Sequence, residues 1–238
     1  LFRSNLVKSE KVVFKESQRF FLPIFNKKHI KNSTTQNKNV LSELYLEIFD
    51  KNISSKSIHL QYYTFVDIFL KPLEKFFGSY VYLFPKIFPF IFGRINLLIG
   101  YLHSDYSNKI IMTKSQNSIS GKYQYSLSFE KNELINEVIK KITLYLKKNL
   151  KEDFYISNGL TNINLTGASY HYGSSFPMSN LENSLKDHTN LNGELNKFKN
   201  IFLLDASILP DMPAHPTTFN VCINAARIIK SLNEEGRI

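Results

Sequence analysis

The chain has 238 residues, of which 43% are hydrophobic and 21% charged, which excludes a wholly disordered, collagen-like or fibrous protein. Its single cysteine, Cys222, excludes an internal disulfide and a cysteine-cluster zinc site. The net charge of +10 is uneven, since residues 1–150 hold 23 basic and 11 acidic side chains and residues 151–238 hold 7 and 9. A positive surface suits nucleic acid, an anionic membrane or an acidic substrate, but scattered lysines are more typical of an ordinary solvated face.

The first part of the chain predicts strands separated by polar loops. The basic, polar stretch 27–38 predicts an exposed loop, and the absence of a continuous apolar run in the first twenty residues argues against a signal peptide. β-Branched and aromatic residues predict a strand at 58–65. Residues 96–113 predict two strands joined by the loop 104–108, and 123–129 predicts another strand.

Aromatic residues are concentrated between residues 62 and 92, which hold 12 of the 33 in the chain. Such density favours core packing, with a substrate passage or a membrane interface as the alternatives. The most apolar stretch, 81–102, is interrupted by charged residues, prolines and a glycine, so we predict no membrane-spanning helix.

Helical periodicity is clearest at residues 131–149, where one apolar stripe predicts a helix that covers a sheet; its members are Leu134, Val138, Ile142 and Leu146. After residue 150 the chain turns to short polar segments. Residues 201–204 then predict a buried strand, followed by a proline-rich loop and a final helix at 217–232. The change in character at residue 150 predicts two structural parts.

The start of the final helix is a candidate ligand site. Pro216 suits the first helical position, which makes His215 the predicted N-cap. The amino end of a helix presents free N–H groups and the positive end of its dipole, so it favours negative charge on a ligand. A histidine at that place can act on the same ligand.

Residues 168–229 resemble the C-terminal signature of the glucose–methanol–choline family of flavin-dependent alcohol oxidoreductases. His171 and Met178 keep the family's spacing of seven, although Ser174 and Ser175 stand where Gly-Thr is usual. Two further segments match the pattern, namely the run 200–210, which contains Asp205-Ala206-Ser207 and ends at Pro210, and His215-Pro216 followed by Ala225-Ala226-Arg227. Residues 101–107 also look like the hairpin region of the family's substrate domain.

The resemblance implies oxidation of an alcohol, which could be a sugar or polyol, with FAD as cofactor. It implies that His171 takes the hydroxyl proton. This role suits an imidazole, whose ordinary pKa of about 6.5 lies close to neutral pH. It also implies that His215 hydrogen-bonds the same oxygen and helps to orient it. Cofactor contacts are implied for five residues, namely Asp205 and Ala206 beside the ribityl chain and His215, Pro216 and Thr217 at the helix start facing the flavin ring.

Each of these residues also has a structural explanation. His171 lies beside two tyrosines and could be a structural histidine, His215 could only cap a helix, and Asp205 could only stabilise a turn. The order and spacing of the three together favour the functional interpretation. We interpret the remaining candidates as structural and predict no metal site; they are His29, His59, His103, His188 and Cys222.

The dinucleotide fingerprint G-x-G-x-x-G, which the family carries near its N-terminus, is absent from this sequence. We therefore expect the C-terminal part of a longer cytoplasmic enzyme, whose N-terminal FAD-binding region is the missing partner. The predicted fold is α+β: residues 1–150 form a substrate-binding part, an antiparallel or mixed sheet covered by helices, and 151–238 complete the flavin site. The alternative is a non-catalytic binding or peripheral membrane protein that uses the basic, aromatic-rich first part; nucleic acid is not an expected partner.

Overall fold

The computed structural model describes residues 10–28, 42, 44–64, 70, 71, 74, 78–87, 93–117, 121–180, 187–196 and 198–238. His29, most of the predicted loop 27–38 and seven of the twelve aromatic residues between 62 and 92 lie outside the described residues. The strands are β1 (Lys11–Glu16), β2 (Arg19–Asn26), β3 (Leu44–Ile48), β4 (Ile58–Thr64), β5 (Ile95–Leu102), β6 (Lys109–Gln116), β7 (Tyr123–Glu130), β8 (Phe154–Ile156), β9 (Asn162–Ile163) and β10 (Tyr172–Gly173). The α-helices are α1 (Phe84–Ile87), α2 (Leu134–Asn149) and α3 (Thr218–Glu234). This composition of antiparallel sheets and helices confirms the predicted α+β class.

The chain divides into two compact units that are interleaved in sequence. The first unit comprises Leu1–Gln18, Leu102–Ile135 and Leu165–Ile238, and the second comprises Arg19–Tyr101 and Asn136–Asn164. Each unit therefore draws on both sides of residue 150. The predicted division into a substrate-binding part, 1–150, and a part that completes the flavin site, 151–238, stays a prediction.

The second unit is built on a six-stranded antiparallel sheet in the order β3-β4-β5-β2-β8, with β9 also paired to β2. Alternate residues of β2 are fully buried, as expected for a strand with one core face; they are Phe20, Leu22 and Ile24. Gly100 of β5 lies directly opposite Phe20, and any Cβ there would overlap the Phe20 ring. Close packing at this point therefore requires glycine.

Pro23 explains why one side of β2 carries two short strands rather than one long one. β9 pairs with Phe20 and Phe21, and β8 pairs with residues 24–26. Pro23 lies between these two ladders and has no N–H to donate, so the hydrogen bonding is interrupted there.

Helix α2 confirms the predicted apolar stripe with one exception. Val138, Ile142 and Leu146 are buried, whereas Leu134 is 48% exposed. Leu134 is the first residue of α2, and its N–H donates to the side-chain oxygen of Asn132 at 3.0 Å. It therefore belongs to the capped, solvent-facing start of the helix.

The first unit contains a four-stranded antiparallel sheet in the order β10-β1-β6-β7. A cluster of buried residues lies against it, comprising Val12, Phe176 and Leu195, with Met112 of β6 packed at its margin. A second cluster joins α3 to the segment before it through Ile208, Ile228 and Leu232.

Two predictions for the first unit are wrong. Residues 101–107 are not a hairpin, because β5 and β6 lie in different sheets and a short 3₁₀ helix, Ser104–Tyr106, connects them. Residues 201–204 are half-buried and make a single bridge, Phe202 to Glu194, so they do not form a buried strand. A buried strand needs hydrogen-bonded neighbours along its length, and the described residues supply only this one bridge.

The final helix begins later than predicted. Its N-cap is Thr217, so the prediction that His215 caps it is wrong by two residues, and Pro216 precedes the helix. The first helical hydrogen bond runs from Val221 N–H to Thr217 O at 3.0 Å. No helix within the described parts of the chain is long and apolar enough to cross a membrane.

Candidate functional site

The predicted base, His171, directly precedes β10 at the edge of the four-stranded sheet. Ser17 N–H, just after β1, donates to His171 O at 3.2 Å, and Lys15 lies opposite Gly173. The imidazole is half-buried. The backbone on both sides of the ring is therefore fixed by pairing with β1.

Two residues with positive φ enclose this short strand. Tyr170 has φ 64° and Ser174 has φ 56°, a region that costs a non-glycine residue about 1–2 kcal/mol. Ser174 occupies the position where the family pattern has glycine, and the left-handed backbone gives the physical reason for that preference. Strain retained on both sides of a candidate base is typical of a functional site.

The segment after His171 runs beside the Asp205 segment and is hydrogen-bonded to it at every second residue. Ser174 N–H donates to Ala206 O at 3.0 Å, Phe176 N–H to Ser207 O at 2.9 Å, and Met178 N–H to Ile208 O at 2.9 Å. Two motif segments that are about thirty residues apart in sequence therefore form one structural element.

Gly173 allows the closest approach between these segments. A Cβ at this position would overlap the backbone oxygen of Ala206 and lie 2.6 Å from Met212 Sδ. Only glycine fits between these groups. Met212 stands three residues before His215, so this contact also ties the third motif segment to the other two.

Asp205 stabilises a turn, as its structural explanation predicted. Its Oδ1 accepts hydrogen bonds from Ser207 N–H, at 3.0 Å, and from the Ser207 hydroxyl, and it caps the 3₁₀ helix Ala206–Ile208. The Asp205 side chain is exposed. Capping and contact with a ligand are compatible, because a carboxylate has more acceptor sites than these two bonds use.

A groove of about 430 Å³ opens at the same place. Its floor is largely apolar, and three polar side chains line it, namely Ser175, Asp205 and Ser207. The half-buried run 201–204 supplies much of the apolar lining. The groove thus joins the Asp205 turn to Ser175 of the first motif.

His215 is half-buried before α3, and its ring is oriented by the helix. Its Nε2 lies 3.2 Å from the amide nitrogen of Asn220, which donates to it when Nε2 carries no proton. Nδ1 is then the nitrogen that can meet a ligand oxygen. Pro216 and Thr218 are exposed at the start of α3, so the helix terminus is accessible, while Thr217 is buried.

Lys15 is a site residue that the sequence analysis missed. Its ammonium group donates to Pro210 O at 2.9 Å and lies 2.5 Å from Asp211 Oδ1. The contact holds the proline-rich loop before His215 to β1. A lysine in an alternating strand gives no local signal for such a long-range contact.

Glu16 is a second missed residue, and it is completely buried beside the His171 segment. Its Oε2 accepts hydrogen bonds from Gly167 N–H and the Ser169 hydroxyl, both at 3.0 Å, whereas Oε1 has no partner among the described residues. Burial raises the pKa of the Glu16 carboxyl, and these two hydrogen bonds lower it by less. Ser169 in turn precedes His171 by two residues.

The Glu16 environment predicts a pH dependence of stability. Because its pKa is higher in the folded state, the carboxyl stabilises the fold when protonated, and this contribution is lost as the pH rises through the folded-state pKa. Glu16→Gln keeps the acceptor oxygen but cannot ionise. The melting temperature of the variant relative to wild type should therefore rise between about pH 4 and pH 7. If the melting temperatures of the variant and of wild type change with pH by the same amount over this range, the assignment is contradicted.

Comparison with known proteins identifies the fold. No family model matches the sequence, and no curated protein matches it. Among solved structures, pyridoxine 4-oxidase from Mesorbium loti matches with a TM-score of 0.52 at 12% sequence identity over 94% of this chain. The match covers only 43% of that oxidase chain. The chain therefore has a fold like that of part of a glucose–methanol–choline oxidoreductase.

The fold brings several of the predicted site residues into one region of the first unit. The segments of His171 and of Asp205 and Ala206 are in direct contact, and α3 packs on the same region through Ile208. His215, Pro216 and Thr217 follow within a few residues of Met212. The catalytic and cofactor roles of all these residues stay predictions.

Proposed function

We propose that this chain supplies the substrate-binding and flavin-closing parts of an FAD-dependent oxidoreductase that acts on the CH–OH group of an alcohol. The observation that carries the proposal is the hydrogen-bonded alignment of the segments 174–178 and 206–208, with α3 packed behind them. Chance occurrence of three short motifs does not predict that they meet in the fold. Their likeness to the family pattern therefore gains support from their proximity.

The residues present fit one end of FAD. The groove beside Asp205 and Ser207 offers an apolar wall and hydrogen-bonding groups, which suits a ring with a polyol chain. Thr217 and the N–H groups of the first turn of α3 suit a ring edge that gains negative charge. The absence of a glycine-rich phosphate loop leaves the adenosine diphosphate end to another region. When bound, FAD accepts the hydride from the alcohol carbon.

His171 acts as the base in this proposal. The imidazole accepts the proton of the alcohol O–H as the C–H bond loses hydride, so a carbonyl product forms and the charges balance. His215 orients the same oxygen through Nδ1, since Asn220 occupies Nε2. Two nitrogens that hold one oxygen restrict the alcohol to the reactive orientation.

The sheet of the second unit carries a polar and aromatic patch of its own. His59 is buried, with its Nδ1 2.5 Å from Glu47 Oε1, and Gln61 links His59 to the Tyr63 hydroxyl. The Tyr45 ring stacks on His59 at 5.6 Å. Tyr45 is the exposed member of this patch, and an aromatic ring beside amide and carboxylate groups suits a hydroxyl-rich ligand such as a sugar or polyol.

The proposal is tested on the protein produced from its complete reading frame, including any region encoded before Leu1. The purified protein should carry a flavin chromophore, and a panel of alcohols, sugars and polyols added without oxygen should bleach it for at least one compound. A G-x-G-x-x-G segment in the preceding region would supply the missing phosphate site. A flavin-free product, or flavin that no member of the panel reduces, would contradict the proposal; sedimentation with anionic vesicles that weakens with salt would instead favour the membrane-binding alternative.

A further inference from the structure

Strand β7 is an apolar strand at the edge of the four-stranded sheet. It pairs with β6, and the described part of the chain adds no strand on its other side. All eight of its residues are exposed. Its apolar members are large and stand on one face; Tyr123 is 42%, Tyr125 41%, Leu127 64% and Phe129 55% exposed.

The apolar face of β7 continues the core face of the sheet beyond the core. Leu127 lies opposite Met112 and Phe129 opposite Ile110. Met112 packs against the buried cluster of Val12 and Phe176, and Ile110 is buried. This face is therefore covered on β6 at Ile110 and Met112 and exposed on β7 at Phe129 and Leu127, which is the arrangement expected where another layer or strand attaches.

The residues that carry the apolar side chains of β7 also direct their backbone N–H and C=O groups toward the free edge of the sheet. Asn117 N–H donates to Lys122 O at 2.9 Å, whereas Lys114 N–H donates away from β7, to Glu10 O at 2.7 Å. In an antiparallel ladder this alternation directs the even-numbered residues of β7 toward β6. The N–H and C=O groups of residues 123, 125, 127 and 129 consequently point to the outer edge.

We propose that β7 pairs antiparallel with β7 of a second copy of this chain, so that two four-stranded sheets become one. Centred on Ser126, this pairing sets Tyr123 against Phe129 and Tyr125 against Leu127, with their outward backbone groups exchanging hydrogen bonds. Every apolar residue of the strand gains an apolar partner. A two-fold axis midway between the two copies of Ser126 relates the chains, so the interface is self-complementary.

Charge complementarity supports a second copy as the occupant. In the same register, Lys122 of one copy lies opposite Glu130 of the other, and the two-fold axis generates this pair twice. Both belong to non-hydrogen-bonded positions, where side chains approach most closely. Between Tyr123 and Phe129 the strand has no lysine, proline or glycine, which are the residues that commonly protect a free edge.

Analytical ultracentrifugation of the 238-residue chain and its variants tests the proposal. Wild type should show a monomer–dimer equilibrium, and Leu127→Lys should raise the dissociation constant about tenfold or more by setting a charge on the edge. Leu165→Lys, which makes the same change at an exposed leucine of the same unit, should leave the equilibrium unchanged. A monomer at all concentrations, or equal effects of the two variants, would overturn the proposal.

A charge exchange tests the register. Lys122→Glu and Glu130→Lys should each weaken the dimer, because each sets like charges opposite one another twice. The double variant should restore the dissociation constant to within about threefold of wild type. Glu130 also forms an ion pair with Lys109 of its own copy, at 2.6 Å. This pair is lost in the double variant as it is in Glu130→Lys. A restored dissociation constant therefore reports on the contact between the two copies. Additive weakening would overturn the Ser126-centred register.

Discussion

Replacement of His171 by alanine is expected to leave flavin bound and to slow its reduction by alcohol about a hundredfold or more in the flavin-loaded protein. The backbone of residue 171 is held by Ser17 and the methyl group needs less room than the imidazole, so the fold should persist. Rapid-mixing measurements of flavin bleaching under saturating alcohol report the reductive step directly. The acid limb of the pH–rate profile should also disappear, because an imidazole that must be neutral to accept the proton is no longer present.

His215→Asn provides the matched comparison. Asparagine retains a polar, hydrogen-bonding group before α3, so reduction should slow much less than in His171→Ala. The variant should raise KM more than it lowers the rate at saturation if His215 chiefly orients the alcohol. Normal flavin reduction in His171→Ala would remove His171 from the mechanism, and a larger loss in His215→Asn would exchange the two roles.

The sequence predicted those elements whose signal is local. Strands β4 and β7 and helices α2 and α3 follow from alternation or helical periodicity, and their observed ends differ from the predicted ones by three residues or fewer. The resemblance to the family pattern implied that the segments of His171 and Asp205 belong to one region. Alternation and helical periodicity are properties of a single segment, so they can be recognised without knowledge of the partner strand.

Long-range pairing was not predictable in the same way. Residues 96–113 show two strands and a polar connection, which is the pattern of a hairpin, yet β5 pairs with β2 and β6 pairs with β1. The difference lies in β1 and β2, which follow one another in sequence and enter different sheets. No feature of residues 96–113 alone carries that information.

Residues 201–204 show that an apolar sequence does not by itself determine whether the segment is buried, because burial depends on the segments that pack against it. Their apolar sequence is typical of a strand buried on both faces, but in this chain they are half-buried, and residues 202–204 line the groove beside Asp205. An apolar run of this kind gains stability only when neighbours cover it. Under the proposed function, the region that supplies the phosphate site would also cover this run.

Gly173→Ala is expected to destabilise the first unit by about 2–4 kcal/mol, the sum of overpacking and a weakened backbone hydrogen bond. The added methyl group would overlap Ala206 O and lie 2.6 Å from Met212 Sδ, and a backbone oxygen cannot rotate away as a side chain can. The segments of His171 and Asp205 must then separate, which weakens the bond from Ser174 N–H to Ala206 O. Urea unfolding followed by circular dichroism measures the loss.

Ser174→Gly, one residue further on, should change the free energy of unfolding in the opposite direction. The comparison therefore distinguishes a steric effect specific to position 173 from a general sensitivity of the segment to substitution. Glycine removes the penalty of φ 56° and the buried hydroxyl oxygen, which has no hydrogen-bond partner within the described residues. Greater freedom of the unfolded chain offsets part of this gain, so a net stabilisation of about 1 kcal/mol is expected. If both variants destabilise the protein equally, the segment does not have the backbone geometry that aligns the two motifs, and the proposed site loses its structural basis.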